Sequence, residues 1–325
     1  MSTGHPKKLR LIADIGGTHT RIAMVYPPCT DLLAQWTLAT ADYHDLATPL
    51  RLALTEWAGP APDEAICAVA SPLLDDQVIL TNVGWSFSIA ESKAELGIRT
   101  LSVVNDWVAQ ALAVPHLKAD RCQAIRRGIP VPNAPRLVMG PGTGLGSAAL
   151  ISWGNQWQAL ACEGGHISFA PTTSREFALV EYIQKQHGHC SAERMASGIG
   201  ITTVYAGICA LDGVPAIDDS PAAISKAALN GNPQAQETYA MFNAALGSAA
   251  GDLALALGAR GGVYIGGGLI PALGPLFEPD RFYARFIAKG RFESYLANIP
   301  IWQILPTDAA LIGLAAAPLE QSNKP

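Results

Sequence analysis

The chain has 325 residues, 49% of them hydrophobic and 15% charged, with a net charge of −5. That length supports a large core and about two domains, while the sparse charge, with no basic run denser than Lys7-Lys8 or Arg126-Arg127, excludes nucleic acid as a partner. No signal-peptide core follows the basic N-terminus, no run approaches the ~20 apolar residues of a membrane span, and the cysteines at 29, 67, 122, 162, 190 and 209 form no CxxC pair, so a cytoplasmic chain of reduced thiols is expected.

The first informative element is LIADIGGTHT, residues 11–20. Glycines at 16 and 17 permit positive φ and carry no Cβ, so the turn amides can approach a phosphate. Asp14 would repel that phosphate unless a divalent cation lies between them, which predicts a site for a metal-bound nucleotide. Residues 10–25, RLIADIGGTHTRIAMV, are echoed at 136–151 by RLVMGPGTGLGSAALI. Each reads as a β-hairpin around a glycine turn, and the length fits two copies of one domain.

Further along, EAICAVA (64–70) and TLSVVND (100–106) predict short buried strands, and WVAQALAVP predicts a helix stopped before Pro115. Asn105 and Asp106 therefore emerge at the carboxyl end of a strand, where open α/β sheets bind ligands. Either residue can cap the following helix. Alternatively Asp106, ionised at neutral pH, can take the proton of a hydroxyl that attacks phosphorus. The three prolines of RRGIPVPNAP (126–135) predict a loop close to a domain boundary.

ACEGGHISFAP (161–171) sets Glu163 and His166 around two glycines. No steric purpose for that flexible polar turn is evident in the sequence, and its side chains suit a polyol such as a sugar; an ordinary surface turn is the alternative. Cys162, His166, His187, His189 and Cys190 are zinc-type ligands without a zinc spacing. SREFALVEYIQKQHG predicts a helix from N-cap Ser174 to Gly188. CSAERMASG places Glu193 in the first turn after N-cap Ser191, as a dipole partner or as a ligand. Residues 211–235 read as a mobile surface segment, and YAMFNAALGSAAGDLALALG as a long buried helix. GGVYIGGG (261–268) predicts a strand and a glycine turn on which an adenosine can lie, unlike either the dinucleotide or the P-loop fingerprint. DAALIGLAAAPLE reads as a final apolar helix, and the alternation of strands and helices indicates an α/β fold.

Taken in order, DIGGT, ND, GPGTG, EGGH, SAER and GGVYIGGG resemble the bacterial glucokinases of the hexokinase and actin-like ATPase superfamily. The likeness runs from about Leu11 to Gly313 and includes LTNVGWSFSIA (80–90) and KGRF (289–292). It implies two ribonuclease H-like α/β domains flanking a cleft: a small one of residues 1–116 plus 307–325, joined by the C-terminal helix, and a large one of residues 117–306. It further implies transfer of the γ-phosphoryl of Mg-ATP to the 6-hydroxyl of glucose, in a cytoplasmic homodimer serving glycolysis, with the domains closing on the sugar.

Carried onto this chain, the resemblance makes Asp14, Gly16, Gly17 and Thr18 the first phosphate motif, with Asp14 reaching Mg²⁺ through water. Gly140, Gly142, Thr143 and Gly144 become the second phosphate motif, and Gly266 and Gly267 part of the adenosine motif. Asp106 matches the general base, and Asn105, Asp106, Glu163, His166 and Glu193 match the glucose-binding set. No cysteine-rich zinc motif follows Gly165-His166, which places the chain with the zinc-free branch. A kinase for another hexose and a non-catalytic sugar sensor are the alternatives.

Overall fold

The computed structural model describes residues 8–73, 75–154, 156–216, 220–305 and 308–318. The chain divides into two units, one formed by Met1–Lys118, Trp157–Ala159 and Thr307–Pro325, the other by Ala119–Gln156 and Leu160–Pro306.

The first unit contains β1 (Arg10–Ile15), β2 (His19–Val25), β3 (Ala34–Ala39), α1 (Ala47–Glu56), β4 (Glu64–Val69), β5 (Gln77–Leu80), β6 (Trp85–Ser88), α2 (Ile89–Leu96), β7 (Thr100–Asn105) and α3 (Asp106–Ala113). Its main sheet has the order β3-β2-β1-β4-β7. The first three strands are antiparallel neighbours, whereas β4 and β7 continue the sheet in parallel with β1. Every residue of β4 is buried, the mark of a strand covered on both faces, which is why it reads as a continuous run rather than an alternation.

Glu64 is the charged exception in β4, only 3% exposed. Its Oε1 accepts from Nε of the equally buried Arg10 at 2.7 Å. Arg10 Nη1 also donates to the carbonyls of Leu314, Ala315 and Ala317 at 2.9, 3.3 and 2.7 Å, at the end of the helix Ala309–Ala316. One guanidinium thus satisfies helix-end carbonyls that have no partner within their own helix. Burial lowers the Arg10 pKa, against the upward pull of Glu64.

The second unit contains β8 (Cys122–Arg126), β9 (Arg136–Pro141), β10 (Leu145–Trp153), β11 (Gln156–Cys162, apart from its residues Trp157–Ala159), α4 (Ser174–His187), α5 (Ala192–Met195), α6 (Gly198–Asp212), α7 (Pro221–Leu229), α8 (Pro233–Leu257), β12 (Val263–Ile265), α9 (Leu269–Leu273), α10 (Pro279–Ile287), α11 (Glu293–Ala297) and β13 (Ile301–Ile304). Its sheet runs β11-β10-β9-β12-β13-β8. An antiparallel hairpin, β9–β10, is followed by parallel β12 and β13. This repeats the strand order of the first unit with β8 added at one edge, so the sequence echo marks a repeated topology.

Helix α8 forms the centre of this unit's core, with Tyr239, Phe242, Leu246 and Ala250 buried among Tyr205, Phe282 and Phe286. By length and composition alone α8 would pass as a membrane span, contrary to the expectation that no segment would. Its apolar residues are instead buried inside the unit, so its composition is accounted for by the core.

Several expected boundaries move. Helix α4 is capped by Thr173 rather than Ser174, through a capping box in which the Thr173 side chain and the Glu176 carboxylate each accept from the other residue's backbone N–H. It ends at left-handed Gly188, as expected. The segment 211–235 is largely helical, holding α7 and the start of α8, with 217–219 outside the described residues. The proline-rich loop falls between β8 and β9, inside the second unit. After α3 a 3-10 turn, Val114–His116, carries the chain through Pro115. The final apolar helix ends at Ala316, and residues 319–320 of that predicted stretch lie outside the described residues.

Buried Glu176 also receives the Arg285 guanidinium, together with the amide and hydroxyl of Thr172. Burial opposes its ionisation, but Arg285 and Thr172 outweigh burial and hold the carboxyl below the usual range. A depressed folded-state pKa contributes stability above the ordinary carboxylate range and loses it as pH falls through the folded value. Glu176→Gln is therefore expected to be less stable than the parent at pH 7, the gap narrowing in acid. Urea midpoints measured from pH 7 down to pH 3 check this, and a gap independent of pH would overturn it.

Candidate active site

In the first unit, Ile15 stands opposite Val69 and Val69 opposite Asn105, so the carboxyl ends of β1, β4 and β7 are level. Neighbouring strands are about 4.8 Å apart, which puts the Gly16-Gly17 turn and Asn105-Asp106 roughly 10 Å apart along one sheet edge. Asn105 is the N-cap of α3, its Oδ1 accepting the Trp107 N–H at 2.9 Å. Asp106 Oδ1 accepts the same N–H at 3.0 Å. Asn105 Nδ2 reaches the carbonyl of Ser71 at 3.4 Å, just past the end of β4. The capping role anticipated for this dipeptide thus rests on Asn105, while Asp106 is the first helical residue.

The DIGGT turn is closed by the Gly16 N–H to the His19 carbonyl at 3.0 Å. Thr40 braces it, its hydroxyl donating to the Gly16 carbonyl at 2.8 Å and its amide to the Thr18 carbonyl at 3.0 Å. Neither glycine takes a positive φ, contrary to the conformational reason suggested by the sequence. The Gly16 amide is spent inside the turn, which leaves the Gly17 and Thr18 amides as its candidate donors.

Asp14 pairs across the hairpin with Arg21, a residue the sequence reading passed over. Arg21 Nη1 lies 3.4 Å from Asp14 Oδ2. Burial raises the Asp14 pKa, and Arg21 only partly offsets it. An ionised carboxylate held this way is short of positive charge, as expected of a group that shares a cation.

In the second unit, the GPGTG turn is tied down by its own bonds and by a helix start. The Gly142 N–H donates to the Gly144 carbonyl at 2.8 Å, while the Gly142 and Thr143 carbonyls accept from the Gly198 and Ile199 amides of α6 at 2.9 and 3.2 Å. Because β12 runs parallel beside β9, the GGG turn lies next to GPGTG. The Gly266 N–H donates to the Met139 carbonyl at 2.8 Å. Gly267 has φ +88°, and a Cβ there would come within 2.7 Å of the Pro141 carbonyl.

Glu163 and His166 flank a 3-10 turn, Gly164–His166, closed by the His166 N–H to the Glu163 carbonyl at 3.0 Å. Their side chains are 55% and 61% exposed, with Oε2 and Nε2 4.0 Å apart. The glycine pair does have a steric purpose, which corrects the sequence reading. A Cβ on Gly165 would fall on the Leu145 carbonyl, and one on Gly164 would lie 2.7 Å from Ser147 Oγ. Both glycines are buried beneath their exposed neighbours.

Glu193, in the first turn of α5 behind N-cap Ser191, accepts the Leu145 N–H through Oε2 at 2.9 Å. It therefore abuts the GPGTG turn, beside Gly144. Bonds from the Phe169 amide to the Cys190 carbonyl and from the Ala192 amide to the Ile167 carbonyl, both 2.9 Å, join the strand past His166 to the segment before Glu193. His189 Nε2 is 2.9 Å from Ser168 Oγ, and burial pushes the Cys190 thiol up to about 11. Among the described residues, no group of three or more His, Cys, Asp or Glu side chains is placed to hold a metal ion.

The chain matches the family model described as Glucokinase over residues 11–321. It is 43% identical over 320 residues to a glucokinase of Chromobacterium violaceum, covering 97% of this chain and 91% of that protein. The crystal structure of a glucokinase from an Antarctic psychrotroph is similar at a TM-score of 0.85 with 37% identity, over 95% of this chain and 98% of the other. A Streptomyces griseus glucokinase of the ROK family, solved with glucose and AMPPNP, shares the fold at a TM-score of 0.58 with 21% identity, over 94% of this chain and 98% of the other. The mixed α/β, two-domain actin-like architecture expected from the ordered motifs is the fold these proteins have.

Proposed function

This chain belongs to the glucokinase family and is an ATP-dependent glucose kinase, and we propose that Asp106 is its general base, with Asn105, Glu163, His166 and Glu193 as the groups that hold the sugar. The observation that carries the assignment is the position of Asp106, just past the carboxyl ends of the parallel strands β1, β4 and β7 and level with the DIGGT turn.

In this reading Asp106 takes the proton of the 6-hydroxyl as that oxygen bonds to the γ-phosphorus. The bond between the γ-phosphorus and the β,γ-bridging oxygen breaks, its electron pair stays with ADP, and glucose 6-phosphate is formed. Carboxylate and imidazole at 163 and 166 accept from sugar hydroxyls, and the imidazole also donates. Amides of Gly17, Thr18, Thr143 and Gly144 face the phosphates, and the Gly266-Gly267 turn supports the adenosine. Asp14, short of positive charge, suits Mg²⁺ held through water; when bound, the ion neutralises charge developing on the phosphate oxygens. We place the enzyme in the cytoplasm and propose a homodimer.

The test is ADP release by purified protein with Mg-ATP and glucose, fructose, mannose, N-acetylglucosamine or no sugar. Turnover with glucose well above the others is expected. Preference for another hexose would move the assignment to a related kinase, and sugar binding without turnover in calorimetry would make the chain a sensor.

A further inference from the structure

We infer that Ser147 is a positioning residue for glucose recognition, a role that rests on the reading of Glu163 and His166 as sugar ligands. Ser147 lies in β10, on the strand that leaves the GPGTG turn, and is 2% exposed. Its Oγ accepts the Gly164 N–H at 3.0 Å and stands 3.3 Å from Cys162 Sγ.

Gly164 separates Glu163 from Gly165 and His166, so the hydroxyl holds the turn at the peptide next to one sugar ligand and two residues before the other. Two main-chain bonds, from the Phe169 amide to the Cys190 carbonyl and from the Ala192 amide to the Ile167 carbonyl, hold the chain that follows the turn, whereas Ser147 holds the turn itself. Gly165 abuts the Leu145 carbonyl, a contact that limits how deep the turn sits but does not hold it down. The ligand side chains are themselves more than half exposed and 4.0 Å apart, so they do not lock one another in place. Direction comes from the backbone under them, and in that backbone Ser147 supplies the side-chain acceptor.

The same stretch of β10 also serves the third sugar ligand. Leu145 donates its N–H to Glu193, two residues before Ser147. These three side chains are therefore registered to each other through one short piece of strand rather than through mutual contact. Removing the Ser147 hydroxyl leaves a buried amide without its acceptor, and the turn relieves that by shifting away from β10. A shift of this kind carries Glu163 and His166 with it while leaving the glycine turns that face the nucleotide in place.

Ser147→Ala is expected to raise KM for glucose about tenfold, from the usual size of a lost buried hydrogen bond, with kcat within about threefold and KM for ATP within about twofold of the parent. Ser147→Thr, which keeps the hydroxyl, restores KM for glucose. Unchanged glucose KM in Ser147→Ala, or equal rises in both KM values, would overturn the inference; the second pattern marks a general packing role. Glu163→Gln is measured beside it. If that variant leaves glucose KM unaltered, the fault lies with the sugar-ligand reading, whereas a raised KM there with a normal Ser147→Ala rejects the role of Ser147 alone.

Discussion

Asp106→Ala is expected to lose turnover by about 10² to 10⁴ while the protein stays folded, the range usual for removal of a general base. The structure separates the two duties present at this position. Trp107 N–H has acceptors on both Asn105 and Asp106, at 2.9 and 3.0 Å, so α3 keeps its cap when the Asp106 carboxylate is removed. Asp106→Asn sharpens the separation, because it retains an oxygen for that N–H and lacks only the basic carboxylate. Single-turnover rates with Mg-ATP and saturating glucose, paired with urea midpoints, measure both effects. Near-normal turnover in either variant removes Asp106 from the chemistry, and a matching collapse in stability would reassign it to the helix.

Arg10→Met is expected to cost about 3–5 kcal/mol of stability, the cost of leaving one member of a buried ion pair alone. Glu64, only 3% exposed, would be left without its partner, and the carbonyls of Leu314, Ala315 and Ala317 would lose their shared donor. Replacing the pair together, as in Arg10→Met with Glu64→Leu, removes the orphan charge and recovers part of the loss. The recovery stays incomplete because the helix-end carbonyls are still unmet. Urea unfolding of the parent, the single variant and the double variant decides it; a single variant within about 1 kcal/mol of the parent contradicts the expectation, taking the size of a buried pair as reference.

Local patterns made the repeated hairpin, the strand ends and the order of the motifs legible before any coordinates, because each is written in a few consecutive residues. What stayed hidden depends on partners far apart in the chain. The glycines at 164 and 165 look purposeless until β10 is seen beneath them, with Leu145 and Ser147 supplying the atoms a Cβ would meet. Ser147 has no motif of its own and acquires a role only through Gly164. Arg21 was within reach, since the antiparallel register that pairs Ile15 with Thr20 also pairs Asp14 with Arg21. The start of α4 was within reach as well. Three consecutive residues, Thr172, Thr173 and Ser174, can each cap a helix, and Glu176 three places after Thr173 selects the middle one. In segment 211–235 the helices were legible too, since Ser220 before Pro221 and Asn232 before Pro233 are sound helix starts.

The contacts of Arg10 also impose a schedule on biosynthesis. A ribosome delivers β1, β4 and β7 early, but the helix-end carbonyls that Arg10 binds belong to residues 314–317. About 200 residues of further translation separate them, roughly 10–40 s at ordinary elongation rates. Throughout that interval the nascent first unit has its arginine and glutamate but not the helix that completes their surroundings. The segment forming most of the second unit, by contrast, has been made before that helix emerges. Arg10, among the earliest residues to be synthesised, is therefore among the last to complete its native contacts.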